Sequence, residues 1–218
     1  MTDVSNSLPL VIVAGGGGRH AHVVLEAALL AGVRVAGVLD LTSGAGTSFA
    51  APVLGGAERL VDTGFLSAHA LTPAAGDAGF RTRIAEAAQA CGGQLGTVVH
   101  PAAVVSPSAA IGAGSVILAG AIVATRARIG DLCIVNHGAS VDHDVTLGRA
   151  VNVCPGARLA GGVTCGEGAF IGIGAVVIQD RVIGRRAVVG AGAVVIADVA
   201  DEATVVGSPA RRVVRPAP

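Results

Sequence analysis

Two histidines stand where chemistry could be carried in this 218-residue chain: His137 in Val-Asn-His-Gly-Ala-Ser (135–140) and His143 in Val-Asp-His-Asp-Val-Thr (141–146). Asp144 follows His143 directly. An imidazole beside a carboxylate suits general-base work, because the acid orients the ring and stabilises its protonated form. The same residues also fit a pair of solvated surface groups. A second concentration is Gly15-Gly16-Gly17-Gly18-Arg19-His20, with Asp40 further on. Glycines let a backbone approach a phosphate, and a helix start behind them favours an anion; a structural turn is the other reading. Several chemistries drop out. All 15 cations are arginine, so no lysine serves as Schiff-base former or base. Cys91, Cys133, Cys154 and Cys165 form no C-x-x-C pair and read as buried, reduced thiols. His137, Asp142, His143 and Asp144 offer metal ligands, but Asp142 and His143 point apart on an extended segment, so no metal site is expected. His100, ahead of Pro101, reads as structural, and His22 and His69 lie in no motif.

Composition bounds the frame that must position these groups. The chain is 52% hydrophobic and 2% aromatic, with 33 Gly, four Phe and no Trp or Tyr. That apolar content excludes disorder, and the core must be built from Val, Ile, Leu and Ala. Fifteen basic residues balance 15 acidic ones and few aromatics are present to stack on bases, which argues against a nucleic-acid partner. The uncharged stretch between Glu86 and Arg126 is long enough for a membrane span. Pro101, Ser106, Pro107 and Ser108 interrupt it, and its pattern continues into charged sequence, so no membrane segment is expected. Segment 1–13 lacks a basic start and reads as a first strand, not a signal peptide, which implies a cytoplasmic protein.

The frame itself is periodic. Cut every six residues from Val105, the chain yields 16 hexads through residue 200 without insertion. The first position is Val, Ile or Leu except at Cys165, the fifth is small or Val except at Arg181, and Gly often takes the second. Neither the helical nor the strand period fits. Strict sixes predict short straight segments joined by tight corners, with the first and fifth residues inward. Stacked turns of such a coil make parallel sheets around an aliphatic core. Ahead of it, residues 8–14 read as a strand. A helix is predicted from about His20 to Ala31, with Val23, Val24, Ala27 and Leu30 inward, and then a strand over Val35–Leu39 ending at Asp40. This is the opening of a nucleotide-binding βαβ unit, although its glycine spacing does not fit the dinucleotide fingerprint.

These hexads resemble the left-handed parallel β-helix of hexapeptide-repeat acyltransferases, in which three hexads make one coil. The Gly-rich turn with His20 resembles the G-x-G-G-H turn of bacterial nucleotide-sugar acetyltransferases of the bacillosamine and perosamine N-acetyltransferase type and of sialic acid O-acetyltransferase relatives. Arg19 is extra before the histidine, and Leu41 replaces a common second acid. Asn136 to Asp144 resembles that group's N-x-x-x-x-V-x-H-D catalytic run. The resemblance covers about residues 9–213 and implies an α/β Rossmann-like nucleotide-sugar-binding domain over 1–98 and a left-handed β-helix over 99–218. It implies that His143 is the base, oriented by Asp144, and that Gly17, Gly18, His20, Asp40 and His137 meet the nucleotide sugar. Acetyl-CoA as donor would lie between neighbouring coils of a homotrimer, flanked by Asn152, Gly161 and Ile173, with Arg211, Arg212 and Arg215 near its phosphates; a solvated tail is the other reading of these arginines. Gly161 stacks one coil beyond His143, where a side chain would block the thioester. The activity implied is N-acetylation of a nucleotide-linked amino sugar, such as a GDP- or UDP-linked 4-amino-4,6-dideoxy sugar, by direct transfer. A sugar or sialic acid O-acetyltransferase, a non-catalytic nucleotide-sugar-binding scaffold and a β-helix carbonic anhydrase are the alternatives.

Overall fold

A computed structural model of the chain describes residues 7–41 and 48–213, so residues 1–6 of the expected first-strand segment, and Arg215, lie outside the described residues. The N-terminal part is a five-stranded parallel sheet in the order β3-β2-β1-β4-β5. Its elements run β1 (Leu10–Ala14), α1 (Arg19–Leu30), β2 (Val35–Asp40), β3 (Val53–Gly55), α2 (Thr63–Ala68), β4 (Ala70–Ala74), α3 (Ala78–Ala90) and β5 (Gln94–Leu95). The central strand β1 is buried along its whole length, which explains an unbroken apolar run instead of an alternating one. Asp62 and Asp77 cap α2 and α3 by accepting the N–H groups of Phe65 and Phe80. The buried stripe of α1 is Ala21, Val24, Leu25 and Ala28. Leu30, expected inward, is 58% exposed, because it falls on the far side of the helix from that stripe.

From Val98 onward the chain winds as a three-sided coil of two-residue strands. Residues 18 apart pair in parallel, as in Val98↔Val116, Ile122↔Ser140 and Arg128↔Thr146. The first sheet holds the strands in register with Val98–Val99, the second those with Val104–Val105, and the third those with Ala110–Ile111. First- and fifth-position residues face inward as the repeat predicted; Val123, Val135, Ala121 and Ala139 are fully buried. Second-position glycines allow coils to stack closely: a Cβ on Gly130 would lie 2.8 Å from the carbonyl oxygen of Leu147. The sharper demand falls on the fourth position, where the backbone turns through positive φ. Glycine fills many of these corners, but Arg126 (φ 58), Leu132 (φ 60), Asp144 (φ 59) and Ala150 (φ 57) do not use it.

The hexads do not run intact to residue 200. Ile183 bridges Val199 and Val188 pairs with Thr204, a spacing of 16. The last coil is two residues short. Val199 takes the interior slot against Ile183, and the Asp198 carboxylate accepts the Val182 N–H (3.0 Å) in place of a strand carbonyl. An antiparallel strand, Arg211–Arg212, closes the end against Thr204–Val206.

The two parts share buried contacts. Val98, Val116 and Leu118 of the first sheet pack into the cluster under α1. Arg81 of α3 has no exposed surface and donates to the carbonyls of Ala75 and Gly76 (both 2.9 Å), Leu132 (2.8 Å) and Ala150 (2.7 Å). Leu132 and Ala150 are left-handed corner residues, so the coil geometry aims their carbonyls at the guanidinium. Among the described residues no helix is long and apolar enough to cross a membrane. Replacing Arg81 by Met takes the guanidinium away from the buried carbonyls of Ala75, Leu132 and Ala150, whereas the Gly76 carbonyl keeps its bond from Asn152. The substitution is expected to cost about 3–5 kcal/mol of stability, read as a lower denaturation midpoint; a shift under ~1 kcal/mol refutes the role.

Candidate active site

His143 sits at the corner between the second and third sheets, between the strands Ser140–Val141 and Thr146–Leu147. The backbone N–H of His143 donates to Asp142 Oδ1 (2.7 Å), which sets the start of the turn. Asp144 then takes the left-handed position, and its Oδ2 lies 2.9 Å from His143 Nδ1. A carboxylate only accepts, so Nδ1 carries the hydrogen and Nε2 is left with its lone pair. The Asp144 carboxylate, helped by Asp142, raises the proton affinity of His143 above the ordinary imidazole value. Asp144 itself is held down to about 2, first by Arg126 and then by His143. The ring lies over Gly161: a Cβ there would sit 2.5 Å from both Cε1 and Nε2. A side chain at 161 therefore collides with the imidazole itself. The cleft around it is lined by Asp142, Ala160, Gly162, Gln179 and Asp180 as well.

The N-terminal candidates gather elsewhere. Ala14 pairs with Asp40, so the Gly-rich turn and Asp40 leave the sheet at the same carboxyl edge. Gly16, Gly17 and Gly18 all take positive φ (58, 82 and 75), and α1 starts behind them with no side-chain cap and no acid in its first turn. Gly15, Gly16, His20, Gly76, Asp77 and Arg83 line a pocket between the ends of β1 and β4. There the strand order reverses, which is where open parallel sheets bind ligands. His20 is pushed down to about 4 by burial, with smaller contributions from Arg81 and His137, and stays neutral near pH 7. Its Nε2 is buried without a partner among the described residues. His137, exposed at the corner between the first and second sheets, is close enough to contribute to that shift.

The residues expected around the donor are not brought together in one chain. Gly161 is under His143. Asn152 is 5% exposed on the first sheet and donates to the Gly76 carbonyl (3.1 Å) at the junction with the N-terminal part. Ile173 stands 61% exposed on the His137 corner, and Arg211 and Arg212 are exposed on the closing strand. His100 accepts the Ala102 N–H in a local turn, His22 stacks on Phe49, and His69 bonds the Phe65 carbonyl. Burial pushes the thiols of Cys133 and Cys165 up to about 12 and that of Cys154 to about 11, so none is a thiolate nucleophile near neutral pH. Among the described residues no group of three or more His, Cys, Asp or Glu is placed to hold a metal ion. Sequence reasoning missed Arg126 beside Asp144, although the 18-residue stacking that placed Gly161 under His143 also places Arg126 one coil before Asp144. The geometry has a direct check. Asp144→Asn removes the carboxylate that raises His143, so the His143 midpoint, followed by NMR titration of the ring, is expected to fall toward 6.5; an unmoved midpoint refutes the pairing.

No protein-family model and no curated protein sequence matches the chain. Solved structures do. The acetyltransferase domain of PglB from Neisseria gonorrhoeae FA1090 is 38% identical, with a TM-score of 0.87 over 94% of this chain and 99% of that one. PerB from Caulobacter crescentus, solved with CoA and GDP-perosamine, is 39% identical, with a TM-score of 0.86 over 94% of this chain and 97% of that one. WeeI from Acinetobacter baumannii AYE is 27% identical, with a TM-score of 0.79 over 94% and 100%. With identity of that order along almost the whole chain, and an imidazole–carboxylate pair at a corner of the coil, this protein belongs to the hexapeptide-repeat, left-handed β-helix family of nucleotide-sugar acetyltransferases.

Proposed function

We propose that this protein transfers the acetyl group of acetyl-CoA to the amine of a nucleotide-linked amino sugar, with a GDP- or UDP-linked 4-amino-4,6-dideoxy sugar as the preferred acceptor class. One observation carries the reading: His143 presents a free Nε2 into an open cleft while Asp144 holds Nδ1–H. The similarity to PerB, whose structure holds CoA and GDP-perosamine, supports the choice of substrates. The pocket at the carboxyl edge of the N-terminal sheet is lined by Gly15 and Gly16, and the positive-φ turn through Gly16, Gly17 and Gly18 leads into an uncapped helix start suited to a nucleotide's phosphates.

In the reaction the acceptor attacks as the neutral amine, an ammonium having first given one proton to solvent; His143 Nε2 takes a proton from the attacking nitrogen, and Asp144 stabilises the imidazolium. The nitrogen attacks the thioester carbonyl, a backbone N–H beside it stabilises the oxyanion, and collapse breaks the C–S bond. The thiolate leaves as CoA, taking up the proton held by His143. No enzyme nucleophile takes part, in keeping with the raised cysteine thiols. Gly17, Gly18, His20, Asp40 and His137 are assigned to the nucleotide sugar. Asn152, Gly161, Ile173, Arg211 and Arg212 are assigned to the donor.

The assembly proposed is a homotrimer. The N-terminal part covers the first sheet from the Leu132 and Ala150 corner to the neighbourhood of His137. The His143 corner lies opposite that sheet, and none of the residues around it lines the nucleotide pocket, which supports a base supplied by a neighbouring chain. On the second sheet Ile122 (44% exposed) and Val176 (36% exposed), on either side of Ser140 and Arg158, offer apolar side chains to such a neighbour.

CoA release should be measured against GDP- and UDP-linked amino sugars, with sialic acid as the hydroxyl control. Turnover with one amino sugar, falling about 10²- to 10⁴-fold in His143→Ala, is the expected result. Turnover with the hydroxyl acceptor alone overturns N-acetylation. Because the neutral imidazole is the active form and its proton affinity is raised, kcat/KM should fall as pH drops through a midpoint above 6.5. A midpoint below that value contradicts the assignment. Intact-mass spectrometry after mixing with acetyl-CoA should show no acetylated chain; an adduct on Cys154 or Cys165 refutes direct transfer.

A further inference from the structure

We propose that Arg126 is a positioning residue for the acetyl transfer, clamping Asp144 from the preceding coil and so fixing both the orientation and the basicity of His143. The inference rests on the reading of His143 as the base. Arg126 Nε lies 2.7 Å from Asp144 Oδ1, and Nη2 lies 2.7 Å from Oδ2. Oδ2 is also the atom that accepts His143 Nδ1–H, at 2.9 Å. The carboxylate is therefore held on both oxygens by a planar fork, a geometry that leaves it little rotation and that a lysine does not reproduce. Without the clamp, the bond from His143 to one oxygen is the side-chain contact left to hold this aspartate among the described residues.

The backbone points the same way. Arg126 and Asp144 both occupy the left-handed corner position (φ 58 and 59) in consecutive coils, where glycine is the unstrained choice. Both side chains are also well exposed, and exposed ion pairs add little to the stability of a protein. Stability alone is thus a weak reason for two non-glycine residues here. A second corner supplies the comparison: Arg186 and Glu202 form the same kind of coil-to-coil pair, with no histidine beside it.

The charged groups facing His143 are Asp142 and Asp144 on its own corner, Arg126 from the coil before and Asp180 from the coil after. Three are acidic and Arg126 is the one cation among them, so it offsets part of their pull on the proton. Its removal should raise the proton affinity of His143 while releasing the carboxylate that aims the ring.

The test uses the full-length protein with Arg126→Met, Arg126→Lys and Arg186→Met. In Arg126→Met the His143 midpoint, read by NMR titration of the ring without any substrate, is expected to move upward. The acid limb of kcat/KM should move with it, and kcat should fall about 10- to 100-fold at pH values above the limb with little change in KM for acetyl-CoA. Arg126→Lys, which keeps the charge and loses the fork, should restore the midpoint and only part of the rate. Arg186→Met should leave midpoint and rate as in the wild type. An Arg126→Met protein with unchanged midpoint and rate overturns the proposal, as does a rate lost in step with thermal stability while the midpoint stays put. His143→Ala separates the two layers. If it retains turnover, the base assignment fails. If it is inactive while Arg126→Met is normal, only the role of Arg126 fails.

Discussion

The stacking of one coil on the next, 18 residues on, is the constraint from which the rest of this molecule follows. It places equivalent corner residues above one another, so a side chain at one corner meets the residue 18 before and 18 after. At the His143 corner this column reads Arg126, Asp144, Gly162 and Asp180, and the adjacent one Thr125, His143, Gly161 and Gln179. The imidazole lies over a residue without a side chain, and the carboxylate sits beneath a guanidinium. The site needs no loop of its own. Its precision comes from corners whose interior neighbours, Val141, Val145 and Leu147, are packed into a continuous aliphatic core.

The same constraint explains how two unlike folding units share one interface. The corner carbonyls of Leu132 and Ala150 converge on Arg81, and Asn152 reaches the Gly76 carbonyl from the adjoining sheet. A buried guanidinium is tolerable only with its donors satisfied, and four carbonyls satisfy it. Burial brings Arg81 down to about 10, which still leaves it cationic at neutral pH. That cation helps keep His20 neutral at the pocket between the ends of β1 and β4. Structural and functional electrostatics are joined in a single side chain.

The carboxyl edge of the N-terminal sheet and the His143 corner are fixed independently of each other. In an open parallel sheet the ligand edge is set by strand order, and here it falls between β1 and β4. The position of His143 is set by the hexad phase, which puts it at a corner that the pocket's lining residues do not reach. Neither choice can be adjusted without breaking its own unit.

Much of this was legible in the residues. A period of six held over some 90 residues leaves one architecture, since inward aliphatics and small fifth residues fill a narrow triangular core and no aromatic fits there. The βαβ opening was legible from its glycines and from the apolar run of β1. His143 and Asp144 stood out because they interrupt a bland repeat, and Gly161 followed by stacking arithmetic. Tertiary structure alone decided the rest. The side of α1 that is buried depends on what packs against it, which is why Leu30 was misplaced. The two-residue shortening after Val195 leaves no mark on the hydrophobic pattern, because Val199 serves in either register. Arg81 reads as an ordinary helix-surface charge until the coil is docked on it. The bond between Arg126 and Asp144 is a property of the stack, for only the fold turns a separation of 18 residues into 2.7 Å.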